Sequence, residues 1–442
     1  MESLDIHEVG EIIRKVRKER RLRLEDLADK NISPATISNI ERGVPHVGVE
    51  KALYLLNKLN IPLEQVPEIL LGEQKELKKL QFYLFQTETL RDIGEAEKAL
   101  KKLDQITLDD SHPYAAYYHY IKGKCYSSQR NWKRAERSFF NAIRLGSQTN
   151  SNIEAAAFTE LSLCLYYQND MEQALQYAES GIDAFKDNGD RPQFKYLLKR
   201  NKAIYLERLG RLGEAIGVVH EIWDELPHIE QTETLLSFYW LRAELCRRTG
   251  VLDQAIEYAE IGLEKARMNH QYTMIFDFWT VLGSVYMQQK DWEQAEECFD
   301  TALHLQGKLP KEDEDKFITT YARLGLLYLK EKRNNEAKQA INRAIQLGEK
   351  HNDVPQLTYA LQVMGDFHRL QNEKSEAIAF YRRGAEIAEK HGLKKRAYKN
   401  MLHLAQCLEN ISDKEFQQIT RNMYQLQIEL QTEEDITFEK VE

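Results

Sequence analysis

The chain has 442 residues, of which 42% are hydrophobic and 30% charged, with only nine prolines. This composition excludes a disordered or fibrous protein and favours a helix-rich one with ample core. A net charge of −9 excludes a protein that coats nucleic acid or membrane indiscriminately, and with neither a long apolar run nor an apolar leader the expected compartment is the cytoplasm, with no membrane partner.

Val9, Ile12, Ile13 and Val16 recur at three- and four-residue spacing and predict a first amphipathic helix to about residue 20. Leu24, Leu27 and Ala28 predict a short second helix, and a turn over residues 30–32 leads into a third. Ser33 can cap that third helix through its hydroxyl, Pro34 falls in its first turn, where a missing N–H costs nothing, and Gly43 can end it in a left-handed conformation. Helices over 49–59, with Leu53, Leu56 and Leu59 inward, and over 63–71 complete the set. Between residues 14 and 23, seven basic side chains face the single acid Glu19, a local basic patch on an acidic chain.

Short helices with a tight turn between the second and third describe a helix-turn-helix domain. Leu27, Ala28, Ser33, Ile37, Ser38, Ile40, Glu41, Arg42 and Gly43 resemble the pattern of the Cro/C1 (XRE-type) repressor family. Two departures stand out: Arg23-Leu24 replaces the frequent Thr-Gln, and the turn before Ser33 is one residue shorter and lacks the usual glycine. The resemblance implies that the third helix enters the major groove of an operator, with Ser33, Pro34, Ala35, Thr36, Ser38 and Asn39 near base edges. Arg14, Lys15, Arg17, Arg23 and Arg42 are then the phosphate contacts. A two-fold operator implies a homodimer or higher homo-oligomer.

Pro62, Pro67 and Gly72 punctuate what reads as a compact joint, so the expected domains are 1–71, 72–431 and an acidic, frayed tail over 432–442. From residue 80 the chain repeats itself. Gly123, Tyr126, Ala135, Phe139 and Ala142 recur at identical spacing as Gly283, Tyr286, Ala295, Phe299 and Ala302, and as Gly325, Tyr328, Ala337, Ile341 and Ala344. Looser copies place alanines at 174, 215, 255 and 377, and a degenerate first copy centres on Ala96. The pattern resembles the tetratricopeptide repeat with a lengthened period. The expected fold is therefore all-α, a helix-turn-helix followed by a right-handed superhelix of eight helix pairs and a capping segment, with small residues allowing close packing and the aromatic filling the gap to the next pair.

Such repeats present the first helix of each pair along a concave groove that accepts an extended peptide. Positions offset from the small residues nominate Tyr120, Lys124, Glu160, Tyr167, Arg200, Asn201, Glu207, Trp240, Glu244, Arg247, Asp277 and Arg323, with Tyr166, Arg208, Arg248, Thr280 and Ser284 beside them. Polar, charged and aromatic groups alternate, which suits a short peptide. The pairing of an XRE-type helix-turn-helix with long-period tetratricopeptide repeats resembles the RRNPP family of peptide-sensing regulators, in particular its NprR-like branch. The resemblance implies a short signalling peptide as ligand, control of DNA binding and oligomerisation by that peptide, and a backbone-clamping role for Asn201 in the stretch Asn201-Lys202-Ala203. It also leaves open an alternative, a Rap-like scaffold that binds a sporulation response regulator, with DNA binding secondary. No phosphate loop, metal signature or nucleophile motif appears, and the five dispersed cysteines read as buried thiols, so neither catalysis nor a metal or other cofactor is expected.

Overall fold

The computed structural model describes residues 6–44, 49–62, 65–409 and 411–439, and these are all-α, with no strand among them. The chain divides into two compact units, Met1–Cys164 and Leu165–Glu442.

The first unit opens with α1 (Ile6–Glu19), α2 (Leu24–Leu27), α3 (Pro34–Glu41) and α4 (Val49–Lys58). Their core gathers Val9, Ile12, Ile13, Leu27, Ile37, Ile40, Leu55, Leu56 and Leu59. Leu55 is fully buried where Leu53 was expected and Leu53 only flanks the core, because the inward stripe of α4 runs Ala52, Leu55, Leu56, Leu59. Helix α1 crosses α3 so closely that a Cβ on Gly10 would lie 2.0 Å from the Ile40 carbonyl oxygen.

Helix α5 (Val66–Asp92) then runs for 27 residues. The expected joint at residues 71 and 72 lies inside it: Pro67 falls in its first turn, where proline is tolerated, and Gly72 has nothing within 4 Å of a Cβ, so neither residue stops the helix. Val66 is buried in the helix-turn-helix core, and α5 also packs on α6 (Ala96–Leu103) and α7 (Ala115–Ser128). Helix α8 (Trp132–Gly146) pairs with α7, and α9 (Ile153–Tyr167) carries the chain across the division.

The second unit holds α10 (Met171–Ala184), then the pairs α11 (Gln193–Leu209) and α12 (Leu212–Trp223), α13 (Thr232–Thr249) and α14 (Leu252–Met268), α15 (Tyr272–Gln289) and α16 (Trp292–Leu303), α17 (Lys316–Lys330) and α18 (Asn334–His351), and α19 (Val354–Leu370) and α20 (Lys374–Lys390). Helices α21 (Lys394–Leu408) and α22 (Asp413–Glu439) close the array. The backbone of α22 stays helical through Glu439, into the expected acidic tail, since that stretch holds neither glycine nor proline.

The repeat signature has a direct steric cause. A Cβ on Gly283 would lie 2.7 Å from the Phe299 ring, and one on Gly325 would lie 2.4 Å from Ile341; Gly123 meets Phe139 and Gly365 meets Tyr381 in the same way. The large residue therefore fills the space over the glycine of its own pair, not the gap to the next pair as the sequence suggested. A left-handed residue, such as Gly210, Gly250 or Lys290, turns the chain five positions before each motif alanine. By this register the first copy centres on Ala99, which follows Gly94 and is fully buried, three residues beyond the expected Ala96.

Gly283→Ala is expected to destabilise the array by about 1–3 kcal/mol through overpacking, whereas Gly72→Ala should stabilise α5 by roughly 0.5–1 kcal/mol through helix propensity. Opposite shifts of the urea midpoint in the two variants check both.

Candidate functional sites

In the helix-turn-helix, α3 starts as its sequence dictates. Ser33 Oγ accepts the Thr36 N–H at 3.2 Å, and Gly43 ends the helix with φ +66°. Ala35, Ser33 and Arg42 are exposed, and Pro34, Thr36, Ser38 and Asn39 are half-buried. Arg42 donates to Asn39 Oδ1 at 2.5 Å, so the Asn39 side-chain oxygen already accepts a hydrogen bond within the helix.

The shortened turn between α2 and α3 is held by Asp29. Its Oδ1 accepts the Asn31 and Ile32 N–H groups at 2.9 and 3.2 Å, and its Oδ2 accepts Tyr54 Oη and Lys58 Nζ, each at 2.6 Å. Lys58 also donates to the Leu27 carbonyl at 2.9 Å. Two side chains of α4 thereby fix a turn that contains no glycine. Lys58, then Tyr54 and the Asn31 N–H, hold the Asp29 carboxyl well below the usual carboxylate range.

Arg14, Lys15 and Arg23 are exposed, but Arg17 is not available for phosphate. Its Nε and Nη2 form a fork on Glu41 at 2.6 and 2.8 Å and its Nη1 donates to the Leu22 carbonyl at 2.8 Å, with only 13% of the side chain exposed. Glu41 on α3 is itself buried, so it captures the nearest guanidinium. This removes Arg17 from the expected phosphate contacts.

The peptide-site residues fall into separate settings. In the first unit Lys124 is buried, donating to Glu88 Oε1 at 2.9 Å and Asp92 Oδ1 at 3.1 Å, and Tyr120 is 2% exposed beneath it. Both belong to the packing of α5 on α7 and not to a free wall; Glu160 is half-buried and its charge reaches Lys124 and Arg91. In the second unit Tyr167 is exposed, and the half-buried Trp240 packs against two apolar clusters between repeats.

Asn201 is 1% exposed: its Oδ1 accepts Arg200 Nη2 at 3.0 Å, and its Nδ2 is buried with no hydrogen-bond partner. Arg200 also approaches Glu233 at 3.9 Å.

The remaining nominees meet in one place. Helices α11, α13, α15, α17, α19 and α21 lie side by side, and Lys395 Nζ at the start of α21 reaches the Leu209 carbonyl at the end of α11 at 3.4 Å. Charged side chains from these helices share the enclosed space. Glu244 receives a fork from Arg247 at 2.5 and 2.7 Å, Glu207 takes Arg248, Asp277 pairs with Lys316 at 2.7 Å, and Arg323 donates to Ser284 Oγ at 2.7 Å. Arg208 feels Tyr166, Glu207 and Glu244, and its charge reaches Asp277, Arg323, Asp353 and Arg396. Burial pushes the carboxyls of Asp277 and Asp353 up and the guanidinium of Arg323 down. Lys316, Asp353, Tyr359 and Arg396 were missed from the sequence. Lys316 and Asp353 sit at or next to helix starts, away from the small residues that mark groove positions, and Tyr359 and Arg396 lie on helices that follow Arg323.

Among the described residues no group of side chains could hold a metal ion, and no helix is long and apolar enough to cross a membrane. The cysteines are free thiols, and burial pushes Cys125 up to about 11 and Cys164 and Cys298 up to about 12.

A helix-turn-helix family model matches residues 13–66 and a tetratricopeptide repeat model matches residues 275–350. Among solved structures, a Rap protein complexed with competence and sporulation factor shares the fold with a TM-score of 0.58 at 14% identity, covering 80% of this chain and 99% of that one. The apo quorum sensor NprR from B. thuringiensis gives a TM-score of 0.58 at 16% identity over 79% of this chain and 99% of that one. The Rap conjugation gene regulator of plasmid pLS20, complexed with the Phr* peptide, gives 0.53 at 14% identity, covering 80% and 95%. No curated protein matches the chain. The resemblance to RRNPP regulators is thus met in domain content and in fold.

Arg17→Ala and Glu41→Ala should each lower protection of α1 and α3 amides from hydrogen exchange by about 2 kcal/mol, with little further loss in the double variant, whereas Arg14→Ala should stay within about 0.5 kcal/mol. Because the folded carboxyl of Asp29 lies below its unfolded value of about 3.9, its contribution is full above that pH and is lost progressively as pH falls from there through the lower folded value. Protection in the same helices is therefore expected to drop below about pH 4 by an amount that Asp29→Asn abolishes.

Proposed function

We propose that this chain is a transcription regulator that binds duplex DNA through α3 and a short signalling peptide among the first helices of its repeats, with the peptide controlling operator affinity and oligomeric state. The observation that carries the reading is Asn201. A buried amide nitrogen without a partner is costly, and an extended peptide offers the carbonyl that it lacks. Since Asn201 is covered, peptide entry requires α11 to shift, which supplies a ligand-dependent movement.

On the DNA side, the exposed Arg14, Lys15, Arg23 and Arg42 supply phosphate contacts, and Ser33, Pro34, Ala35, Thr36, Ser38 and Asn39 form the edge presented to the bases. On the peptide side, Glu207, Glu244, Arg247, Asp277 and Arg323 act with Arg208, Lys316, Tyr359 and Arg396. The alternative, a Rap-like scaffold for a response regulator, is favoured by one observation: Arg17 is withdrawn from phosphate, so the basic edge is weaker than its sequence suggests.

Gel shift on the gene's own upstream region separates the two readings. A regulator binds one site, and Arg14→Ala weakens all sequences alike while reducing the salt slope by about 1, whereas Asn39→Ala relaxes base preference at one position by about 1–3 kcal/mol. Light scattering and calorimetry with the short peptide encoded beside the gene complete the test. Sequence-independent binding that vanishes with salt, and no change with peptide, overturn the proposal.

A further inference from the structure

Within the second unit, the enclosed space holds more cationic than anionic capacity. Its acids are committed: Glu244 to Arg247, Asp277 to Lys316, and Asp353 to the Gln356 N–H at 3.0 Å as a helix cap. Two guanidiniums are not. Arg323 on α17 donates only to the Ser284 hydroxyl, and Arg396 on α21 lies 4.9 Å over the Tyr359 ring. Neither has a carboxylate within salt-bridge distance among the described residues, and the Tyr359 hydroxyl on α19 makes no hydrogen bond there. Tyr359 interacts with both arginines and with Arg247, and Arg208 repels Arg323 and Arg396, so positive charge gathers around one phenol from helices that are neighbours or meet across the space. A half-buried arginine without an anion is an uncommon arrangement, because leaving its donors dry costs free energy that a bound carboxylate would recover.

We propose that Arg323 and Arg396, together with the neighbouring Tyr359, hold a carboxylate of the bound peptide. The inference rests on the peptide reading above and adds the chemistry of one subsite. A planar monoanion suits two guanidinium forks and one phenol donor. A dianionic phosphate suits them less, because Glu244 is felt at Arg323 as well. The carboxylate is either the C-terminus of the peptide or an aspartate or glutamate side chain within it.

The full chain is incubated with a randomised heptapeptide mixture, once as free acids and once with amidated C-termini, and retained peptides are sequenced by mass spectrometry. Retained peptides are then titrated against the wild type and against Arg323→Gln and Arg396→Gln, with thermal melts of each variant as a control for folding. Every retained peptide is expected to lose about ten- to a hundredfold in affinity when one particular carboxylate is neutralised. C-terminal amidation does this if the terminus is bound, and Asp→Asn or Glu→Gln in the peptide does it if a side chain is bound. Each arginine substitution should reproduce the loss, and the neutralised peptide should no longer distinguish the variants from wild type. Arg396→Lys, which keeps charge but not the fork, should recover part of it. Peptides that bind folded variants and wild type equally, or that tolerate loss of all their carboxylates, overturn the subsite and leave the peptide reading standing. Retention of no peptide by the wild type overturns that reading, and the subsite with it.

Discussion

The close approach of a glycine on one helix to a ring or branched side chain on its neighbour sets the geometry on which the repeats depend. Gly283 under Phe299 and Gly365 under Tyr381 leave no room for a Cβ, so the paired helices sit as near as their backbones allow. The same sixteen-residue offset links Gly262 to Phe278 and Gly384 to Asn400, across consecutive pairs, so one steric rule governs packing within pairs and between them. Fully buried alanines such as Ala295 and Ala337 keep the opposite side equally tight. Small errors in this spacing would accumulate from pair to pair. Because it is held, side chains from α11, α13, α15, α17, α19 and α21 arrive in one shared space although they are far apart in sequence.

What those side chains do there follows from desolvation. Charges with limited access to water must find counter-charges or hydrogen-bond partners. Most do: Glu207 with Arg248, Glu244 with Arg247, Asp277 with Lys316. The exceptions include the amide nitrogen of Asn201 and the guanidiniums of Arg323 and Arg396, besides buried polar atoms of Arg242, His351, Gln362, Asn400 and His403. Asn201, Arg323 and Arg396 together offer donors suited to a backbone carbonyl and to an anion, which is what the proposed peptide would supply.

Helix periods, the cap at Ser33 and the repeat interval were legible in the sequence because each is a local rule with a fixed spacing. Register within a weak copy was less so: Ala96 and Ala99 both fit an alanine pattern, and only the left-handed Gly94 decides between them. Partner choice was not legible at all. Arg17 and Arg14 are equivalent residues in a basic run, and what separates them is that α3 brings Glu41 under one and not the other. Lys124 and Arg323 were both nominated by offset, yet Lys124 meets two carboxylates and Arg323 meets a serine. The fate of a charge depends on what the fold brings from about forty residues away, which no local pattern records.

Helix α5 bears on how a signal could reach α3. Val66 at its start is fully buried in the helix-turn-helix core, while Tyr83 Oη near its far end donates to the Lys102 carbonyl on α6 at 2.8 Å. One continuous helix joins these contacts, so they are coupled by a rod of about 26 Å. A helix transmits rotation about its axis with little loss, and each residue of register is worth about 100°. The orientation of α3 relative to the first repeat is therefore set by the phase of α5 and not by the length of a tether. Gly72 brings no side chain to the rod, and nothing lies within 4 Å of where its Cβ would be. Under the proposed function, tightening or loosening of the first repeat would act on α3 as a turn of its whole domain, and in a dimer such a turn would change whether two copies of α3 match one spacing of half-sites.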